Sequence, residues 1–521
     1  MKRSAGFLFL CMAVCASRVV FALDFTGLTG SGAAVPNLQP SLTMTYMIRT
    51  EFSSYYSLGE VGLFAGTFLP GGWTAADGRL LDIDSHPLLY DALGTTYGGD
   101  GSATFALPDL RGRAVFGTGT GSGLSSRTLG ASFGAEQVAL TNGQLPAHRH
   151  SLPQGGTTGP VGIGQSQLNV QPGLALNFGL RAFGVFPTGG SGLPYDGGYL
   201  GQIDVFAGKS LPPDDVSADG RLLPKNQNTA LFALLGNTYG GDGTNSFAVP
   251  DLRGRVAIHE GQSAGLAERT LGEATGSEQV VLTASQMPAH NHSLPNSTTA
   301  TTGTTGGNAL QPNMGPSLTV NYIIATSGLD PSSQSGSDGT FMGQLRLFAG
   351  NFAPTGFAFA DGQLLSVGDY PELFSVLGST YGGDGAETFA LPDLRGRVPI
   401  DVGSGPGLTS RTLGSISGAE AVALSVANLP SHAHAVSVPG DFSLNGVVDA
   451  ADYVLWRDGL GTTYTQSDYN LWQAHFGERL QSGSGADDEQ FPAVPEPATA
   501  VIVLTELSLV LTYDCRRSHG S

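Results

Sequence analysis

Three cysteines occur in 521 residues, and all of them sit near the ends, at Cys11, Cys15 and Cys515. The body between them has no thiol to pair, so a disulfide framework is excluded and buried surface, assembly or metal must hold the fold. Lysine is equally scarce, present only at Lys2, Lys209 and Lys225, and charged residues of all kinds make up 13%. With 24 basic against 43 acidic residues and a formal charge of −19, no polybasic face exists to neutralise phosphates. Nucleic acid is therefore excluded as an expected partner. Long apolar runs are also missing, except at the two ends. Lys2-Arg3, the apolar stretch 5–16 and the small-residue context Val20-Phe21-Ala22 read as a secretory signal over 1–22. The mature chain is expected to start near Leu23. The other run, 498–512, contains Glu506 and is short for a stable membrane span.

What is present is a block repeated three times at one interval. Pro108-Asp109-Leu110-Arg111-Gly112-Arg113 returns 142 residues later at 250–255, and again after the same step at 392–397. A Leu/Val-Phe-Ala-Gly motif (Leu63, Val205, Leu347), Tyr-Gly-Gly-Asp-Gly (Tyr97, Tyr239, Tyr381) and a His-x-His pair keep the same step. At about 150 residues per domain a chain of this length holds three or four domains, and the repeat supplies three of them.

Each copy reads alike. A short apolar strand (62–68, 203–208, 345–352) leads to an Asp-Gly turn at Asp77, Asp219 and Asp361. A helix is expected next, from the stripe Leu89/Tyr90/Leu93 and its copies, closed by a left-handed cap at Gly94, Gly236 and Gly378. The stretches 151–170 and 293–310, rich in Gly, Thr, Ser and Gln, read as exposed, variable loops. Alternating strands follow after Gln171-Pro172 and after Gln311-Pro312, the latter with 318–324. Copy three lacks such a strand, yet an orphan of the same type stands at 39–50, before copy one. If copy three borrows it, the three modules close into a ring without an open edge. The expected fold class is α+β and β-rich, with three tandem modules in a pseudo-threefold arrangement and a small helical module after them.

Six of the ten histidines form the pairs His148/His150, His290/His292 and His432/His434. Residues i and i+2 of a strand face one way, so each pair can reach one ion, and three pairs around an axis offer six nitrogens. Zinc prefers four ligands, so six nitrogens leave zinc, iron and nickel open. The alternative is that these rings only hydrogen-bond loops at a polar module interface. Asp109, Arg111 and Arg113, with Asp251, Arg253, Arg255 and Asp393, Arg395, Arg397, read as structural forks, because no nucleophile or histidine accompanies them in the repeated motif. Glu136, Glu278 and Glu420 are expected to accept hydrogen bonds between modules.

Taken in order, Leu-Phe-Ala-Gly, Tyr-Gly-Gly-Asp-Gly, Pro-Asp-Leu-Arg-Gly-Arg, Arg-Thr-Leu-Gly (Arg127, Arg269, Arg411) and Pro-Ala-His-x-His resemble the phage tail collar domain, especially its bacterial branch named after microcystin-dependent proteins. The resemblance covers about 39–438. It implies a threefold body in which His-x-His pairs meet at an axial metal, here within one chain, so the head is expected to be monomeric. Residues 440–479 are similar to a dockerin. Asp441, Ser443, Asn445, Val447 (through its carbonyl), Asp449 and Asp452 follow an EF-hand-type loop with Gly446 at the turn, and two helices at 450–459 and 466–476 each carry Asp-Tyr-x-x-Trp. The second helix lacks such a loop, so one calcium is implied rather than two. Val494-Pro495-Glu496-Pro497, the apolar run and Arg516-Arg517 resemble a PEP-CTERM sorting signal, which implies transient membrane contact.

The expected organisation is a signal over 1–22, a segment over 23–58, modules over 59–190, 200–328 and 342–438, the dockerin-like module over 440–479, a linker over 480–493 and the sorting tail over 494–521. One transition metal ion, zinc or iron, and one calcium are the expected cofactors. The leading functional expectation is a non-enzymatic bacterial protein, secreted or held at the envelope, whose head recognises glycans or another surface ligand. A structural envelope or matrix component, with the dockerin-like module joining a protein partner, is the second reading. A hydrolase delivered by the dockerin is the third.

Overall fold

The computed structural model describes residues 24–51, 57–153, 157–187, 198–294, 301–332, 339–436, 440–443 and 447–478. Each module builds the same elements in the same order. In module one these are the strands Glu60–Phe64 and Trp73–Ala75, a hairpin of Leu80–Asp82 with Thr104–Ala106 around the helix Pro87–Leu93, and the inner strand Ala114–Gly117. Seven residues are too few for a helix to persist alone. Burial of Leu89 and Leu93 in the main core holds this one, and Pro87 starts it. The glycine that ends it departs from the expected cap. Gly94 has φ 58 but ψ −144, and Gly236 and Gly378 match it, so the chain leaves the helix in a conformation that a side chain would strain.

The long strands differ more instructively from the expectation that each belongs to one module. Gly173–Arg181 runs parallel to Ala114–Gly117 of module one along its first half, then antiparallel to Gln202–Phe206 and Asp215–Ser217 of module two. Ser317–Ala325 joins modules two and three in the same way. Ser41–Arg49 pairs with Val398–Asp401 and Ile416–Ser417 of module three, then with Glu60–Phe64 and Trp73–Ala75 of module one. Nine residues at about 3.3 Å each are long enough to serve two partners. The strands Glu60–Phe64, Gln202–Phe206 and Gln344–Phe348 also pair with one another in a cycle. The ring is therefore closed, with the N-terminal strand completing module three.

The borrowed piece begins well before residue 39. Asp24–Phe25 pairs with Ala435–Val436 and Thr29 bridges His432, as Thr157 and Val161 do for Ser151 and His148, and Thr301 and Thr305 for Ser293 and His290. Val35–Pro36, Gln167–Leu168 and Gln311–Pro312 then pair with the next module at Gln137–Val138, Gln279–Val280 and Ala421–Val422. Gln311–Pro312 thus belongs to this outer pairing, and the counterpart of Gln39-Pro40 and Gln171-Pro172 is Gly315-Pro316. The backbone shows it. A Cβ on Gly134, Gly276 or Gly418 would fall 2.0 Å from the carbonyl oxygen of Gln171, Gly315 or Gln39 respectively.

The stretches expected as free loops also fold back. Thr158 and Thr302 are buried, and their N–H groups donate to the His150 and His292 carbonyls at 2.9 and 2.8 Å. Apolar clusters drawn from all three modules fill the interior above the main core: Phe116, Ile258 and Ile400, then Leu140, Leu282, Leu424 with Val35, then Leu145, Met287 and Leu429. The histidine pairs follow next along the chain.

The small helical module consists of Ala450–Asp458 and Gln466–His475, each opened by a capping box, at Asp449/Asp452 and Thr465/Asp468. The Trp456 indole donates to the Thr465 carbonyl and the Trp472 indole to the Asp449 carbonyl, both at 2.8 Å. Each helix thus anchors the other's N-cap. The expected signal, linker and sorting tail lie outside the described residues, and no helix among those described is long and apolar enough to cross a membrane.

Candidate functional site

The structure brings all six paired histidines together, each buried. Every pair of rings lies with centroids 4.8–5.5 Å apart except His148/His292, His150/His432 and His290/His434. Those three exceptions use each residue once. This is the neighbour pattern of an octahedron's corners, with the exceptions as its opposite vertices. Four trios, such as His148/His290/His432, hold their ligating atoms within 4.8 Å of one another.

Each ring is oriented by its Nδ1, which faces a backbone carbonyl. His148, His290 and His432 use Pro146, Pro288 and Pro430 of their own modules at 2.9–3.0 Å. His150, His292 and His434 reach Gly303, Gly27 and Gly159 on neighbouring segments, all at 2.8 Å. A carbonyl can only accept, so Nδ1 carries the proton and Nε2 keeps its lone pair. All six Nε2 atoms are buried without a hydrogen-bond partner. Burial pushes His148, His290 and His292 down to about 4 and His434 to about 3, and also lowers His150 and His432; neighbouring rings reinforce the effect at all but His432. Six neutral imidazoles with inward lone pairs fit a transition metal, and six orphaned buried acceptors are otherwise costly. The pairs are carried on extended chain with isolated bridges, which preserves the expected i, i+2 alternation.

The Asp/Arg forks close within each module, and they face the module before them. Arg111 grips Asp109 at 2.9 and 3.1 Å, Arg253 grips Asp251 at 2.8 and 3.0 Å, and Arg395 grips Asp393 at 2.9 and 3.2 Å. The backbones of these arginines bridge Asp401, Gly117 and His259, at the ends of the neighbouring inner strands. Arg113 and Arg397 add bonds to the Asp109 and Asp393 carbonyls at 3.0 and 3.1 Å. The acceptor glutamates also fall at module boundaries: Arg127 pairs with Glu278 at 2.6 Å, Arg269 with Glu420, and Arg411 with Glu136 at 2.5 Å.

Two polar features lay beyond the motifs. Glu60, Asp204 and Arg346 line a small pocket where the three cyclically paired strands meet. Burial raises Glu60 and nearby Asp204 raises it further, against Arg346. At the end of the inner strands, Asp401 accepts the Tyr46 N–H at 2.8 Å and His259 accepts the Tyr322 N–H at 3.1 Å, where module one has Gly117. Only the repeat register could have singled these positions out, as places where the three copies differ.

In the helical module the structure brings Asp441, Ser443, Asp449 and Asp452 together. Asp452 is fully buried and accepts the N–H groups of Ser443 and Asp449 at 2.6 and 2.7 Å, while Ser443 Oγ donates to Asp441 at 3.3 Å. Asn445 lies outside the described residues.

The chain matches the family model of the Phage Tail Collar Domain three times, over residues 59–115, 201–257 and 343–399. Each match ends just inside the inner strand, short of the histidines. No curated protein and no solved structure matches the chain.

Proposed function

We propose that the chain is an exported, non-enzymatic recognition head that binds glycans at a bacterial surface. The observation that carries this reading is the closed ring of three collar copies, which gives a rigid body with clefts between modules. Its conspicuous polar clusters are committed to structure: the Nδ1 atoms to carbonyls, the forks and glutamates to boundaries. The six Nε2 atoms hold one transition metal ion, zinc or iron, which ties the modules together at the axis. Asp441, Ser443, Asn445, Asp449 and Asp452, with the Val447 carbonyl, hold one calcium, and the helical module then offers a face to a protein partner. The signal and sorting segments suit delivery to the envelope, with transient membrane contact. A glycan array probed with the purified chain tests the reading. Selective binding supports it, whereas an array without binding, together with incorporation into an isolated envelope or matrix fraction, favours a structural component. A hydrolase screen on the same glycans tests the absence of catalysis.

A further inference from the structure

The three module boundaries are built alike but one of them is chemically different. At the boundary of modules two and three, Arg397 bonds Asp393 at 3.2 Å and Ser263 at 2.8 Å. At the boundary of modules three and one, Arg113 bonds Asp109 at 3.4 Å. Their counterpart Arg255, between modules one and two, has no hydrogen-bond or ion-pair partner among the described residues for its guanidinium, and it lines a cleft of about 550 Å³. Asp251 below it is taken by Arg253 alone. In a chain with 43 acidic and 24 basic residues, a half-buried guanidinium without a carboxylate is unusual.

The rest of the cleft differs in the same direction. Ser122 stands where the other boundaries have Ala264 and Pro406, and Thr275, a hydroxyl like Ser417 at the second boundary, stands where the third has Phe133. Ser277 replaces Ala419 and Ala135. Glu278, the acid on this wall, accepts the Ser125 N–H and hydroxyl at 2.8 Å each and Arg127 at 2.6 Å, so its charge is already matched. The cleft thus presents hydroxyls around one uncommitted planar fork, which pairs best with a carboxylate in bidentate geometry.

We infer that the cleft between modules one and two binds an acidic glycan, with Arg255 on the carboxylate of a uronate unit and the Ser122, Thr275 and Ser277 hydroxyls on the sugar. This rests on the glycan-recognition reading and places it at one of three otherwise equivalent boundaries. The test is calorimetric titration of the full chain with galacturonate, glucuronate and mannuronate oligosaccharides and with the methyl ester of each. At least one acid should bind, with its ester tenfold or more weaker. Arg255→Gln should lose the same tenfold or more. Ser122→Trp, at an exposed position that fills the cleft without touching the fork, should lose binding with an unchanged melting temperature. An acid and ester that bind alike, or binding indifferent to both substitutions, overturns this site while leaving glycan recognition elsewhere intact. If no acid binds, the site is overturned too, and a glycan array then decides whether the broader reading survives.

Discussion

The Arg411 guanidinium meets the Glu136 carboxylate at 2.5 Å, joining the third module to the first across 275 residues of sequence. The contact repeats as Arg127 with Glu278 and Arg269 with Glu420, so the last module closes on the first with the same chemistry that joins consecutive modules. Closure rests on an ion pair as well as on the shared strand.

Breaking that pair should loosen one boundary. Both side chains are mostly buried, at 7% and 14% exposure, so Arg411→Ala leaves an unmatched carboxylate. A loss of about 2–4 kcal/mol is expected, just below the range for fully buried pairs. Burial opposes ionisation of Glu136, but hydrogen bonds from Thr409 and Arg411 outweigh it and hold its carboxyl below the usual range. A depressed carboxylate stabilises the fold above its unfolded pKa and loses that contribution as pH falls. Denaturant melts should show the wild type losing stability below about pH 4 more steeply than Glu136→Gln.

Removing the N-terminal strand should disturb the far end of the chain. Ile48 and Met44 are fully buried, and Ile48→Ala should cost about 2–5 kcal/mol. Deleting residues 24–49 should raise amide exchange at Val398–Asp401 and Ala435–Val436, whereas a dispensable leader would leave both protected.

The pocket at the meeting point of the three inner edges should carry a pH signature of the opposite sign. Glu60 occupies the position that Gln202 and Gln344 fill in the other copies, and its carboxyl is raised. A raised group contributes most below its unfolded pKa, about 4.3, and that contribution is lost as pH rises through its folded value. Glu60→Gln should therefore raise the melting temperature more at pH 8 than at pH 5, and an equal shift at both would contradict the assignment.

Calcium should order the helical module. Titration of the full chain is expected to show one calcium site, abolished in the Asp441→Ala, Asp452→Ala double variant, with quenching or enhancement of tryptophan fluorescence as Trp456 and Trp472 respond. Two sites, or none, would show that the loop has been misread.

The repeat, the element order and the convergence of the histidines were legible in the sequence because each depends on identical residues at a constant step. The sharing of each long strand was not, since alternation marks a strand without naming its neighbours. Residues 24–38 share with 157–170 and 301–314 a Thr-Gly pair and an Asn eleven residues after the Thr (Thr26/Asn37, Thr158/Asn169, Thr302/Asn313), whose side chains make equivalent hydrogen bonds in each copy; three residues off the 142-residue step are too few to mark the segment in the sequence. The false match of Gln311-Pro312 to Gln171-Pro172 has a related cause: an identical dipeptide outweighed the two-residue difference in loop length before it. Arg255 shares its register with Arg113 and Arg397, and only the folded structure shows that, unlike them, it makes no ion pair with the Asp of its own motif.

One chain closes three modules around one six-histidine centre. Native mass spectrometry of the purified chain tests it most directly. A single chain carrying one zinc or iron ion at this centre, lost when His148, His290 and His432 are together replaced by alanine, is the predicted result. A chain free of transition metal, or an ion held only by an assembly of three chains, would contradict it.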